Sequence, residues 1–197
     1  MPQKPGPASE IDQFQDENAG PLSPAFLYSG DLLLSLDKAV RINHQMTTNQ
    51  FNVRPLAESD LPEWLRLRRA LWDGLNEDDH KVEMLDIIEN RDSQFVAVAD
   101  VGAGKLAGFL EASIRPHVED CDTENVGYLE GWFVDEAFRR QGIGRTMVAS
   151  AEKWARQKGC TEMASDAEVN NDVSQQAHSN LGYSETSRLI HLRKVLL

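Results

Sequence analysis

Residues 126–145, VGYLEGWFVDEAFRRQGIGR, decide the fold of this chain of 197 residues. The first nine are mostly aromatic and β-branched, which predicts a strand, and Gly131 inside it predicts a bulge or a close approach of two backbones. The next part of the stretch holds three arginines and two glycines, and apolar residues at helical spacing follow it. We therefore expect a strand, a basic glycine turn and a helix in direct succession.

The basic turn at residues 139–145 has the chemistry of an anion site. The first amides of a helix have no intrahelical partner, and the helix dipole is positive at this end. Gly142 and Gly144 lack Cβ atoms, so a ligand can approach these amides closely, and the three arginines add charge-assisted contacts. These features suit a diphosphate. The alternative, that the glycines and arginines only cap the helix, stays open on this motif alone.

The spacing in the turn excludes two nucleotide motifs. The order G-x-G-x-x-G with an acidic residue ~20 positions later is absent, so the turn is not a dinucleotide fingerprint. No G-K-[ST] ending follows the glycines, so it is not a nucleotide P-loop either.

The composition indicates one acidic globular domain. The chain is 41% hydrophobic, which suffices for one sizeable core but not for two full catalytic domains. Lysine and arginine number 20 against 32 acidic residues, and the net charge of -12 disfavours nucleic acid and anionic membrane as partners. Cys121 and Cys160 have neither disulfide-framework nor zinc spacing, so we expect no metal and a reducing cytoplasm. No apolar run reaches the ~18 residues of a membrane span.

Residues 1–45 differ in amino-acid composition from the rest of the chain. They are rich in proline, glycine and acidic residues and show no amphipathic period, so we expect a disordered or loosely docked extension. A regular pattern begins near Met46, and the folded domain is expected to cover residues 46–197.

Two helices are predicted early in this domain. Asp60, with Glu63 three residues later, has the spacing of a helix N-cap, and an apolar stripe that ends at Trp72 follows. A shorter second helix is expected to hold Val82, Leu85 and Ile88.

The other patterns complete a mixed order of elements. Two apolar runs joined by Gly-Ala-Gly predict a hairpin over residues 94–114, and a strand over residues 160–166 and a helix over 174–182 follow the glycine turn. Residues 183–196 predict one or two final strands. The order β-α-α-β-β-β-α-β-α-β places the chain in the α/β class (α+β mixed), with a mixed sheet covered by helices.

The pattern Arg139-x-x-Gly142-x-Gly144, after a strand and before a helix, resembles the acetyl-CoA diphosphate loop of the GNAT superfamily of N-acetyltransferases. The resemblance covers about residues 51–197 in element order. The strings YLEGWFV, FRRQGIG, AEKWARQKGCTEMASD and SQQAHSNLGY are similar, more narrowly, to the aminoglycoside 6'-N-acetyltransferases that modify kanamycin- and tobramycin-like drugs.

This resemblance implies a GNAT fold whose sheet splays beside the bulged fourth strand. The exposed edge of that strand would pair with the pantetheine arm of acetyl-CoA, and the glycine turn would bind the diphosphate. The residues implied to bind the coenzyme are Trp132, Phe133, Val134, Arg139, Arg140, Gln141, Gly142, Ile143, Gly144, Arg145 and Asn171.

The same resemblance implies an acceptor site with carboxylates for a polycationic aminoglycoside. Glu130 and Asp166 are the acidic positions that match acceptor contacts in the similar enzymes, and Trp72 and His117 would add walls to the pocket. An ammonium must lose a proton before its nitrogen can attack, and Asp166 is our first choice of base and Glu130 our second. Each carboxylate also has an alternative role without proton transfer: Glu130 can only bind the substrate, and Asp166 can cap a helix or loop at the end of a strand.

Direct acetyl transfer in a ternary complex follows from these expectations. Cys160 has no histidine at a motif spacing, so we interpret it as a small core residue rather than as an acetyl carrier. His178 takes the place of a tyrosine that many superfamily members use as the acid, and it stays an open candidate.

The resemblance favours an antibiotic-resistance enzyme that is cytoplasmic and, like most relatives, a homodimer. One alternative is an acetyltransferase for a polyamine or a protein N-terminus. Another is a module that binds acyl-CoA without catalysis.

Overall fold

The computed structural model describes residues 51–196 of the protein. The predicted extension over residues 1–45 and the predicted domain start at residue 46 lie outside the described residues.

Five strands form one mixed sheet in the order β1-β2-β3-β4-β5. The first four strands pair antiparallel with their neighbours, whereas β5 pairs parallel with β4. This confirms the predicted mixed sheet. The strands are β1 (Asn52–Pro55), β2 (Gln94–Asp100), β3 (Leu106–Arg115), β4 (Val126–Val134) and β5 (Met163–Ser165).

Helices cover both faces of the sheet, because the strand side chains alternate between two cores. Val96 and Val98 of β2 pack against the first two helices, whereas Ala97 and Ala99 belong to the core on the opposite face, with the third and fourth. The helices are α1 (Leu61–Leu71), α2 (Glu77–Glu89), α3 (Ile143–Gln157) and α4 (Asp172–Asn180).

The start of α1 differs from the prediction. Asp60 precedes the helix but makes no side-chain cap bond to it. Its carboxylate instead accepts hydrogen bonds from Arg54 Nη1 at 2.6 Å and from the amide of Ala57 at 2.8 Å. The Asp60 carboxylate forms an ion pair with Arg54 and therefore does not cap the helix.

The buried face of α2 also differs from the apolar pattern. His80, Met84 and Ile87 face the core, whereas Val82 and Leu85 are exposed. A polar residue, His80, therefore occupies a core position that hydrophobic periodicity does not reveal.

The predicted final strands are absent from the described part of the chain. Residues 184–196 contain no helix or strand there, and none of them takes part in a backbone–backbone hydrogen bond within residues 51–196. The prediction of strands over residues 183–196 is therefore wrong for a single copy of the chain. An alternating pattern forms a strand only when another strand supplies the ladder.

Candidate active site

The centre of the candidate site is a bulge in β4. Glu111 of β3 lies opposite Gly131, and the next pair is Ala112 with Leu129, so Glu130 is the extra residue. Beyond it, β5 pairs with β4 only at Gly127, Tyr128 and Leu129. In the described sheet, residues 130–134 of β4 therefore have no paired strand on the β5 side. This confirms the predicted splay beside a bulged fourth strand.

Gly131 is required because Trp72 lies directly against the bulge. A Cβ atom on Gly131 would come within 2.8 Å of Trp72 Cζ2. Trp72 itself is only 2% exposed, packs edge-on against Phe109 and lies under the Arg68 guanidinium at 4.8 Å from the ring centroid. The geometry makes Trp72 a support beneath the bulge. Its predicted contact with the acceptor stays a prediction.

The basic turn connects β4 to α3 through two residues in the left-handed region. Arg140 has a φ of 60° and Gly142 a φ of 80°. The first hydrogen bond of α3 runs from the Thr146 amide to the Gly142 carbonyl at 3.0 Å. The amides of Ile143 and Gly144 precede this bond in the first turn of α3, where backbone amides point out of the helix end.

Gly144 provides an independent sign that this helix end is built for a ligand. It lies inside α3 without a positive φ, so the backbone does not need glycine there. A Cβ atom on Gly144 would meet nothing within 4 Å, so packing does not need glycine either. A ligand that approaches the amides closely does explain it. At Gly142, by contrast, the positive φ of the backbone is by itself a reason for glycine.

Two arginines of the turn also bond to the protein itself. Arg139 Nε donates to the Val134 carbonyl at 3.1 Å, and Arg145 Nη2 donates to the Asn180 carbonyl, at the end of α4, at 3.4 Å. Arg140 and Gln141 are exposed. Arg139 thus anchors the turn to β4, and Arg145 anchors it to α4. Their charges make the surroundings of the turn positive.

On the α4 side of the splay, Asn171 and Trp132 have structural contacts. The Asn171 side chain caps α4 by accepting from the Ser174 amide at 2.9 Å. Trp132 is buried and stacks on His178 with ring centroids 5.1 Å apart. Phe133 and Val134 continue the open edge toward the turn.

Glu130 is held by two polar neighbours on β3. Arg115 Nη2 forms an ion pair with it at 2.7 Å, and Ser113 Oγ donates to it at 2.6 Å. The carboxylate is therefore positioned and its charge is matched by the arginine.

Asp166, directly after β5, is the second predicted carboxylate, and Tyr128 links it to the first. The Tyr128 hydroxyl donates a hydrogen bond to Asp166, and the Arg115 guanidinium lies over the Tyr128 ring at 3.3 Å from its centroid. Burial, with help from the Asp166 carboxylate, raises the pKa of the Tyr128 phenol, which keeps it protonated as a donor. Asp166 itself is exposed.

Two residues that the sequence motifs do not predict, Tyr128 and Arg115, join the two carboxylates. One signal was present: Tyr128 lies two residues before Glu130 in the same strand. The bulge obscures that signal, because period-two spacing no longer fixes the face on which a side chain lies.

His178 is fixed inside the splay as a neutral ring. Its Nδ1 lies 2.7 Å from the Ser174 carbonyl and its Nε2 lies 3.0 Å from Ser165 Oγ. Burial lowers the pKa of His178, so the ring is neutral near pH 7, with its proton on Nδ1 facing the carbonyl. Nε2 is then an acceptor, and this arrangement does not favour His178 as the acid for a leaving group.

His117 and Cys160 lie at the margins of this arrangement. His117 is exposed on the loop between β3 and β4. Cys160 is buried, and burial raises the pKa of its thiol, which fits core filler rather than a nucleophile.

Among residues 51–196 no group of three or more histidine, cysteine or acidic side chains could hold a metal ion. The same residues include no helix with the length and apolarity of a membrane span.

Comparison with known proteins gives one consistent result. Residues 61–183 match the model of the Acetyltransferase (GNAT) family. The chain is 40% identical over 146 residues to the aminoglycoside N(6')-acetyltransferase type 1 of Klebsiella aerogenes, which covers 73% of this chain and 96% of the relative. A type 1 relative from Acinetobacter baumannii is 41% identical over 145 residues, 73% of this chain and 97% of its own length.

Solved structures agree with these relatives. The chain is similar to AAC(6')-Iy in complex with the bisubstrate analog CoA-S-monomethyl-acetylneamine, with a TM-score of 0.70 and 37% identity over 74% of this chain and 99% of that one. It is equally similar to the aminoglycoside antibiotic 6'-N-acetyltransferase AAC(6')-Ih from Acinetobacter baumannii, with a TM-score of 0.69 and 39% identity over the same shares.

Proposed function

The chain belongs to the acetyltransferase (GNAT) family, and from this premise we propose that it transfers acetyl from acetyl-CoA to the 6'-amino group of aminoglycoside antibiotics and so confers resistance. The observation that carries the proposal is the open edge of β4, which leads from Glu130 to a glycine turn with outward-facing amides. The relatives named as aminoglycoside N(6')-acetyltransferases match the chain over almost their whole length, which supports this acceptor.

The glycine turn and the β4 edge fit the coenzyme. The amides at the start of α3 would hold the diphosphate, and the arginines around the turn would offset its charge. The unpaired edge of residues 130–134 offers amides and carbonyls to the amide groups of the pantetheine arm. An amide beside the bulge would stabilise negative charge on the thioester oxygen. Bound acetyl-CoA supplies the activated acetyl group.

The acceptor side fits a polycation. Residues 51–197 contain 26 acidic and 17 basic side chains, so the domain as a whole attracts cations. Asp166 is exposed, next to the parallel pairing of β4 and β5, where an ammonium group could reach it. Glu130 already has an ion-pair partner, and we therefore assign it to positioning and acceptor binding.

Asp166 is the better base of the two carboxylates. It would take a proton from the 6'-ammonium, and the freed amine would form a C–N bond to the acetyl carbon while the C–S bond breaks. Tyr128 holds the Asp166 carboxylate in place through its hydroxyl. The nitrogen loses its second proton as the amide forms, and the departing thiolate takes it up. A thiol pKa of ~8.5 makes the thiolate a good leaving group, so no donor from the chain is needed.

Product mapping tests this function. The purified full chain is incubated with acetyl-CoA and kanamycin, and the product is analysed by mass spectrometry and NMR. We expect one acetyl group on the 6'-nitrogen, and no product from an aminoglycoside that carries a 6'-hydroxyl. Acetylation at another nitrogen, or of a polyamine or peptide in preference to kanamycin, would overturn the proposal.

We also propose that the enzyme works in the cytoplasm as a homodimer. Free Cys121 and Cys160 suit a reducing compartment, where acetyl-CoA is available. Several large apolar side chains are exposed on the described chain, and a second copy would cover some of them.

A further inference from the structure

A positive charge of the protein itself lies between the two carboxylates on the acceptor side of the site. The Arg115 guanidinium reaches Glu130 with two nitrogens, Nη2 at 2.7 Å and Nε at 3.2 Å. Its carbon Cζ also lies 3.3 Å from the centroid of the Tyr128 ring, and the hydroxyl of that ring donates to Asp166. A site that is proposed to bind cations therefore already contains one.

The alternation of side chains along β3 places this guanidinium. Ser113 and Arg115 lie two residues apart near the end of the strand, so they share one face of the sheet. Both bond from that face to Glu130, the extra residue of the bulge. Arg115 is the last residue of β3, and its side chain is 40% exposed, so it lies at the rim of the site where a ligand can meet it.

These bonds use most of the hydrogen-bonding capacity of Glu130. An ionised carboxylate has about four lone-pair sites for donors. Three bonds are already made, two from Arg115 and one from Ser113 Oγ at 2.6 Å. Room is left for about one donor from a ligand, and a hydroxyl group fills it without adding charge.

The charges favour the same kind of ligand group. Arg115 neutralises Glu130, whereas Asp166 bonds to the neutral hydroxyl of Tyr128 and keeps its negative charge for a ligand. One ammonium at Asp166 therefore balances the charge of the site. A second ammonium beside Glu130 would face the guanidinium at close range, and such a contact between like charges disfavours binding.

We propose that Arg115 is a specificity-determining residue. It takes the place of a substrate ammonium at Glu130, so the site accepts a hydroxyl and disfavours a second ammonium on the sugar ring that carries the 6'-amine. The inference rests on the proposed function, because it places the 6'-ammonium at Asp166. Tyr128 separates Asp166 from the guanidinium by little more than its own ring, so other groups on the same sugar would lie near Arg115 and Glu130.

Two kanamycins provide a matched pair of ligands. They differ at the 2' position of this sugar, which carries a hydroxyl in kanamycin A and an amine in kanamycin B. Calorimetry measures the dissociation constants of both with the full chain saturated with CoA, at one fixed ionic strength. We expect the parent to bind kanamycin A at least as tightly as kanamycin B, although kanamycin B carries one more ammonium. A parent that binds kanamycin B ten times more tightly would overturn the proposal.

Arg115→Gln removes the charge and leaves Glu130 to pair with the 2'-ammonium. We expect the affinity for kanamycin B to rise at least ~10-fold relative to that for kanamycin A. An unchanged ratio of the two dissociation constants would contradict the assigned role. Because the measured quantity is a ratio between two ligands, a general loss of active protein in the variant cancels from it.

Arg66→Gln is the matched control for the loss of charge. Arg66 is also 40% exposed and pairs with Asp135 at 2.9 Å, beyond the far end of β4. Its loss changes the net charge by the same amount and should leave the ratio at the parental value. A shift as large as that of Arg115→Gln would show that the overall charge of the domain sets the preference, and the proposal would be wrong.

Arg115→Lys separates charge from orientation. Lysine keeps the positive charge but lacks the planar group that contacts Glu130 with two nitrogens. The variant should therefore keep the parental preference. If Arg115→Lys shifted the ratio as much as Arg115→Gln, Arg115 would act by orienting Glu130 and not by its charge, which would overturn the proposal.

Product mapping on both kanamycins distinguishes failure of this inference from failure of the proposed function. Acetylation at the 6'-nitrogen with a ratio that Arg115→Gln leaves unchanged contradicts only the role of Arg115. Acetylation at another nitrogen, with a ratio that Arg115→Gln shifts as expected, contradicts only the proposed function. A parent that binds neither kanamycin would overturn both.

Discussion

At the scale of single residues, Gly144 separates folding from ligand binding. Neither its backbone conformation nor its neighbours require glycine, so a methyl group there is compatible with the fold. We expect Gly144→Ala to leave the free energy of unfolding unchanged or raise it by up to ~1 kcal/mol, because alanine is the better helix former. We expect acetyl-CoA to bind at least ~10-fold more weakly, as measured by calorimetry, since one clash of ~1.4 kcal/mol has that effect.

Gly142→Ala is the informative contrast for this prediction. Its φ of 80° is unfavourable for alanine, so this variant should lose stability as well as coenzyme affinity. Parental affinity for acetyl-CoA in Gly144→Ala would remove the turn from the coenzyme site.

Asp166 and Glu130 are distinguished by their partners. Asp166→Asn removes the base, and we expect kcat to fall by about 10²–10⁴-fold with no change in acetyl-CoA affinity. Glu130→Gln weakens the pair with Arg115, and we expect KM for the aminoglycoside to rise more than kcat falls. Steady-state kinetics with kanamycin measures both quantities.

Tyr128→Phe serves as the matched control for this pair, because it keeps the ring under Arg115 and removes only the hydroxyl that holds Asp166. Its effect on kcat should be smaller than that of Asp166→Asn. Parental kcat in Asp166→Asn across pH 6–9 would show that another group is the base.

The sequence predicted the residues of the coenzyme site better than those of the acceptor site. The glycine turn is a local pattern whose meaning is fixed by the strand before it and the helix after it. Tyr128 and Arg115 matter because β3, β4 and β5 bring them together, and Trp72 is core because α1 packs on the bulge. Such contacts depend on pairing and packing that no local pattern records.

At the scale of elements, a buried ion pair joins α1 to β3 below the bulge. Arg68 Nη1 lies 2.6 Å from Glu111, and Trp64 Nε1 donates to the same oxygen at 3.0 Å. Glu111 is directly opposite Gly131, so this pair joins α1 to β3 beside the bulge. The pair gives the bulge a fixed place relative to the helix that supports it.

We expect Glu111→Gln to lower the free energy of unfolding by about 3 kcal/mol, because it leaves part of the Arg68 charge buried without its partner. Urea unfolding measures the loss. Glu77→Gln is the control: Glu77 pairs with exposed Arg69 and Lys81, and its loss should change the same quantity by less than ~1 kcal/mol. Equal effects of the two substitutions would contradict the role assigned to the buried pair.

The elements that the sequence predicted correctly are those whose apolar residues are buried within the same domain. Strands β2, β3 and β4 and helix α3 have apolar residues that bury against their own domain. Residues 183–196 have the same kind of pattern, but their large apolar side chains are exposed. Helix α2 shows the opposite case, since it buries His80, which its apolar pattern does not include.

At the scale of the whole molecule, the buried His80 and the half-buried His178 predict sensitivity to mild acid. Burial, followed by the charge of Arg68, lowers the pKa of His80, and burial lowers the pKa of His178. The unfolded chain therefore takes up protons below pH ~6.5 that the folded chain does not, and stability falls as the pH drops below that value. The loss is at most about 1.4 kcal/mol per pH unit for each histidine.

Urea unfolding at pH 7.5, 6.5 and 5.5, at one fixed protein concentration, checks this prediction. His80→Gln and His178→Gln should each show a flatter dependence of the free energy of unfolding on pH than the parent. His117→Gln is the matched control, because that side chain is exposed. The lowered pKa of Asp60 and Glu63 affects stability only in stronger acid, so it does not interfere in this window. Parental slopes in both variants would contradict the prediction.

The open edge of β4 has a consequence for drug design. A rigid peptide-like compound that laid its own amides along residues 130–134 and carried an anionic group into the glycine turn would compete with the donor and not with the antibiotic. Such an adjuvant would act alike whichever aminoglycoside a clinician prescribes. Changes in the acceptor pocket that widen the range of inactivated drugs would give no protection against it.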